Sequence, residues 1–178
     1  ALLRINQGGT TVHIVLASAG TFFILLNIFD VNKPVINALP KVEPEKVIRK
    51  LKELTGRPIG INLEPVEQGV ESGVETLDMW KLSSGRAATV ENAKKAIEMG
   101  VDFIVLTGNP GIGVTNSAII DTLKVYRREL GNSVALIAGK MHASGIVSEG
   151  GENIITEDDV AAFAEAGADV ILMPAPGT

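Results

Sequence analysis

Residues 98–109 read EMGVDFIVLTGN: a glutamate and a glycine close a helix-like stretch, a short apolar run follows, and the run ends abruptly on polar residues. The phrase recurs as ELTGRPIGINLE at 53–64, ELGNSVALIAGKMH at 129–142 and EAGADVILMPAPG at 165–177. Glycine accepts the left-handed conformation that ends a helix, and a parallel strand buried on both faces reads as unbroken hydrophobic residues. The repeat therefore predicts βα units, with strands over 59–63, 103–106, 134–138 and 170–173. The apolar runs at 22–26 and 12–16 predict two more.

Between the runs lie amphipathic helices. Val47, Leu51 and Leu54 fall on one face, as do Ile119, Leu123, Tyr126 and Leu130, and again Val160, Phe163 and Ala164. Thr156 stands where an N-cap belongs, ahead of Glu157, Asp158 and Asp159. Alternating strands and helices give an α/β fold with a parallel sheet. Polar residues at every strand end, and the lack of a glycine fingerprint after the first strand, favour a TIM-type (βα)8 barrel over a doubly wound sheet. Only about six units are countable, whereas a full barrel takes about 250 residues. Residues 17–21 are also too few for a parallel crossover of roughly a dozen. The expectation is one incomplete barrel domain over 1–178, with a segment missing near 17–21 and a C-terminal part beyond the last strand.

Bulk properties narrow the function. The 178 residues are 46% apolar, and 16 Lys and Arg against 21 Asp and Glu give a net charge of -5 with no basic stripe, so nucleic acid is not the expected partner. There is no cysteine, hence no disulfide framework and no thiolate chemistry. The apolar runs at 12–17 and 22–26 are too short to span a bilayer, and no signal-peptide pattern is present, so no membrane partner and a cytoplasmic location are expected.

In a barrel the strand ends converge on one mouth, and ligands bind there. The ends carry Asn27 and Asp30, Asn62 and Glu64, Thr107 and Asn109, Lys140 and His142, then Pro174, Pro176 and Gly177. Lys140 suits an anion, or, desolvated, a base or Schiff-base former; His142 suits a proton shuttle. Asp30 and Glu64 suit acid–base work or a hard cation such as magnesium. No nucleotide-cofactor motif occurs. Thr107, Gly108, Asn109, Gly111 and Gly113 open the next helix as a glycine-rich turn that fits a phosphate, though the Lys-Ser/Thr of a P-loop is absent. A long connection after Glu64 holds Trp80, Ser83, Ser84, Gly85 and Arg86, whose guanidinium suits a carboxylate or phosphate; residues 145–153 form a second glycine-rich loop. Asn27 and Asn62 complete the substrate-binding set. Asp102 and Asp169 precede their strands and are assigned to structure, and His13 to the core.

Residues 27–34, 57–65, 83–86, 106–116, 138–143 and 167–178 together resemble a family of uncharacterised bacterial proteins that is often labelled haloacid dehalogenase-like hydrolase and accompanies sugar phosphotransferase systems. The resemblance implies a (βα)8 barrel continuing past Thr178, with a glycine-rich turn and helix between the first two strands. Asp30, Thr107 and Lys140 can be laid on the dehalogenase pattern, but Asn32 stands where its second Asp belongs and no acidic pair follows the 170–173 strand. The expected function is an enzyme acting on a small anionic, phosphorylated metabolite by isomerisation, aldol-type cleavage or hydrolysis. The alternatives are a haloacid dehalogenase-like phosphohydrolase and a non-catalytic metabolite sensor linked to sugar uptake. A homo-oligomer is expected, since a sheet edge left open would not stay exposed.

Overall fold

The computed structural model describes residues 2–6, 22–36, 39, 41–66, 82–107, 114–140 and 156–173. Over these, β1 (Leu2–Asn6) and β2 (Phe23–Asn27) are followed by a 3-10 turn (Pro44–Lys46) leading into α1 (Val47–Thr55) and β3 (Ile59–Leu63). A second 3-10 turn (Ser84–Arg86) then precedes α2 (Val90–Met99), β4 (Phe103–Leu106), α3 (Asn116–Leu130), β5 (Ala135–Gly139), α4 (Glu157–Glu165) and β6 (Val170–Leu172).

Local chemistry fixes where the helices begin and stop. Thr89, Thr115 and Thr156 occupy N-caps, their side chains accepting the N–H groups of Asn92, Ala118 and Asp159; Thr156 and Asp159 form a reciprocal capping box. The four glycines of the recurring phrase, Gly56, Gly100, Gly131 and Gly167, all have positive φ, between 58° and 110°. One helix face differs from expectation. In α1 the buried residues are Val47, Ile48, Leu51 and Thr55, while Leu54 is exposed, because the sheet meets the stripe running through i, i+1, i+4 and i+8. In α4 Phe163 is buried and Ala164 exposed.

Among the described residues the six strands form one sheet in the order β1-β2-β3-β4-β5-β6, every neighbouring pair parallel. Chain order and sheet order coincide, as in successive units of a TIM-type barrel. The strand expected over 12–16 lies outside the described residues, as do 17–21. The strand that pairs with β2 is β1, in register from Leu2↔Phe23 to Asn6↔Asn27. The connection between that pair, residues 7–22, is long enough for a parallel crossover.

Side chains alternate across the sheet. Ile24, Leu26, Ile59, Ile61, Leu63, Ile104, Leu106, Leu136 and Ala138 face the helices and pack with Ile48, Leu51, Ile119, Leu123 and Tyr126 in the main core. On the other face Leu25, Phe103, Val105 and Ile137 form a smaller cluster, joined by Phe23, whose ring meets that of Phe103 edge to face at 5.5 Å. At the N-terminal edge a device appears twice. Asp102 Oδ2 accepts the N–H of Ile59 at 2.8 Å and Oδ1 accepts Lys52 Nζ at 2.7 Å; Asp169 Oδ2 accepts the N–H of Leu136 at 2.7 Å and pairs with Arg127. Each aspartate ties the start of one strand to the end of a neighbouring helix, which agrees with the structural role assigned to both. Among the described residues no helix is long and apolar enough to cross a membrane.

Candidate functional site

The inward parity that places Leu25, Phe103 and Val105 on the smaller cluster continues to the C-terminal ends of the strands, where the residues become polar. In β3 it turns Asn62 and then Glu64 inward, and beyond β4 it turns Thr107 inward; Leu63↔Leu106 pairing sets Glu64 and Thr107 at the same level. Asn27 ends β2, and all four residues are buried.

A second segment closes over β3. Residues 84–88 run parallel to its tip: Glu64 bridges to Ala87, the N–H of Glu64 donates to the carbonyl of Arg86 at 2.9 Å, and the N–H of Ala88 donates to that of Glu64 at 3.0 Å. This brings Arg86, 2% exposed, onto Glu64, 0% exposed. Arg86 Nη2 donates to both carboxylate oxygens, at 2.7 and 2.8 Å, and Asn62 Nδ2 donates to Oε1 at 3.1 Å. Asn62 Oδ1 in turn accepts the N–H of Ile28 at 3.0 Å. Ile28 has φ 58°, a left-handed conformation that a β-branched residue takes only under strain.

Asp30 serves the loop that holds this arrangement. Its Oδ1 accepts the N–H groups of Asn32 at 2.7 Å and Lys33 at 3.2 Å, forming an Asx turn. The N–H of Val31 donates to the carbonyl of Gly85, and Asn32 Nδ2 donates to Ser84 Oγ at 3.3 Å. A Cβ at Gly85 would stand 1.8 Å from Asp30 Oδ1, so the contact between the two loops requires glycine.

Lys140 is buried at the end of β5. Its charge acts on Asp159 in the first turn of α4. Burial pushes the Asp159 carboxyl up, but hydrogen bonds from Thr156 and Asn116, with the charge of Lys140, outweigh it and hold the group below the ordinary carboxylate range. The structure thus brings Asn62, Glu64 and Arg86 into direct contact and places Thr107 at the level of Glu64. The charge of Lys140 reaches Asp159, which the sequence marks only as part of a helix cap. His142, Gly108, Asn109, Gly111 and Gly113 lie outside the described residues. Among the described residues no three His, Cys, Asp or Glu side chains come together as a metal-binding group. Two participants escaped the sequence reading: Ile28, whose residue type argues against its conformation, and Asp159.

The family model described as Domain of unknown function (DUF7916) matches residues 5–178. The chain belongs to this family. No curated protein matches this DUF7916 chain. Solved structures do. A "putative phosphonomutase" from Burkholderia cenocepacia is 17% identical with a TM-score of 0.51, over 96% of this chain and 66% of that one. A 2,3-dimethylmalate lyase, a member of the PEP mutase/isocitrate lyase superfamily, is 13% identical with a TM-score of 0.50, over 96% and 56%. A mandelate oxidase variant is 16% identical with a TM-score of 0.52, over 96% and 49%. The DUF7916 chain spans half to two thirds of the length of these structures, and at such identities the likeness shows the fold.

These findings correct the haloacid dehalogenase-like assignment. The family model is DUF7916, and the solved structures that match include phosphonomutase and lyase folds of the PEP mutase/isocitrate lyase type. The residues agree with the correction: Asp30, the position that would be the nucleophile, uses Oδ1 to hold two backbone amides.

Proposed function

We propose that this chain forms the larger part of a TIM-barrel enzyme that acts on a small anionic metabolite carrying a carboxylate or phosphoryl-type group, bound at the C-terminal ends of β2 to β5. The buried Glu64–Arg86 pair with Asn62 carries this reading. Taking two charges out of water is costly, and such a pair is weak as a stabiliser. Where buried ionic networks sit at strand ends on the binding side of a barrel, they mark functional sites. The names of the structural neighbours, a phosphonomutase, a dimethylmalate lyase and a mandelate oxidase, refer to small acids, which supports the same class of substrate.

Arg86, oriented by Glu64, would supply the guanidinium charge that favours the anion at this end of the sheet. Lys140 would add positive charge from the next strand but one, or, as the neutral amine, condense with a ligand carbonyl to an imine with release of the carbonyl oxygen as water, the first stage of an aldol-type cleavage. Isomerisation and carbon–carbon cleavage are the reaction classes this arrangement serves.

A panel of small phosphorylated and carboxylated metabolites tests the reading, with saturable binding and turnover followed together. The expected result is at least one saturable ligand whose affinity falls about tenfold or more in Arg86→Gln, in line with the loss of one charge-assisted hydrogen bond. Unchanged binding in Arg86→Gln would overturn it. Borohydride trapping of a carbonyl substrate onto Lys140 would identify the amine step, and full activity in Lys140→Ala would remove that residue from the chemistry.

A further inference from the structure

Thr107 is 4% exposed, and its Oγ1 is buried with no hydrogen-bond partner among the described residues. A buried hydroxyl left unpaired is destabilising, so such a group is retained where something else pairs with it. The position is informative. Thr107 continues the inward parity of Phe103 and Val105, and the Leu63↔Leu106 register sets it level with Glu64. In the proposed function the charge of the ligand falls to Arg86, which is held on both oxygens of Glu64, while Thr107 is a neutral donor and acceptor level with that pair. A hydroxyl matches an uncharged oxygen beside the anionic group, which it can pair in full without having to balance a charge.

We infer that Thr107 is a specificity-determining residue that hydrogen-bonds an uncharged oxygen, a hydroxyl or carbonyl, on the anion bound at this mouth. The inference rests on the proposed function and adds the chemical neighbour of the anionic group.

Two probe pairs test it, lactate against propionate and glycerol 3-phosphate against propyl phosphate, with wild type, Thr107→Ser and Thr107→Val. In wild type and Thr107→Ser the hydroxylated member should bind about tenfold tighter, and in Thr107→Val within about twofold. Equal affinity within both pairs for wild type, or a preference kept in Thr107→Val, would overturn the inference while leaving the anion site standing. Failure of all four probes to saturate would count against the anion site itself. A ligand-free readout is independent of probe choice. Removing an unpaired hydroxyl without changing side-chain shape should raise the melting temperature by about 2 °C in Thr107→Val. A fall would show that the hydroxyl serves the protein, and would overturn the inference.

Discussion

Glu64 and Arg86 share one shell of hydrogen bonds, and each is the reason the other can be buried. Removing either partner strands a charge in a place water does not reach. Glu64→Gln and Arg86→Met should each lower the unfolding free energy by about 3–5 kcal/mol, and the double variant should lose less than the sum; urea denaturation of the four proteins measures it. Both residues were identifiable from the sequence, one by its place after an apolar run and the other by its place in a long connection. Their pairing was not, because it is made by a turn that runs back beside β3 across 22 positions of chain. Ile28 shows the opposite difficulty. Isoleucine is the wrong type for φ 58°, so no local signal announces it. Asparagine accepts that conformation more readily, and Ile28→Asn is expected to hold the melting temperature or raise it, where an average substitution would cost about 1 kcal/mol. A calorimetric scan decides.

At the scale of elements, chain chemistry predicted most boundaries. The strands over 59–63 and 103–106 coincide with β3 and β4, and those over 22–26, 134–138 and 170–173 agree to within a residue, because an unbroken apolar run between a glycine turn and a polar end has few ways to be placed. β1 over Leu2–Asn6 has no such signature, because Arg4 interrupts the apolar pattern. Thr156 and Asp159 form the capping box expected from the sequence, and Thr156→Ala should cost about 1 kcal/mol in chemical denaturation. The aspartates at the other rim set a pH dependence. Burial raises the Asp169 carboxyl, but the N–H of Leu136 and the Arg127 guanidinium outweigh it and leave the group below its ordinary value of 3.8. A carboxyl lowered in the folded state adds stability above the unfolded value, and that stability is lost as pH falls through the folded one. Unfolding free energy followed from pH 7 downward should therefore fall faster below about pH 5 in wild type than in Asp169→Asn.

In the molecule as a whole, ionic ties lie at both ends of the sheet, with different work to do. At the N-terminal rim Asp102 and Asp169 anchor strands to helices; at the C-terminal rim Asn62, Glu64 and Arg86 form a buried network where the proposed function places a ligand. The seam between β5 and β6 has one tight point. Gly139 has φ 150°, and a Cβ there would stand 2.0 Å from the carbonyl oxygen of Leu172. Gly139→Ala should cost about 3 kcal/mol or more, seen as a lower denaturant midpoint together with loss of whatever binding Lys140 supports, since Lys140 is the next residue.

The order β1-β2-β3-β4-β5-β6 carries a consequence for how such a chain reaches its native state. Among the described strands, each from β2 onward finds a partner in the strand synthesised just before it. Such a chain can acquire its sheet one unit at a time as it leaves the ribosome, each newly docked strand templating the next.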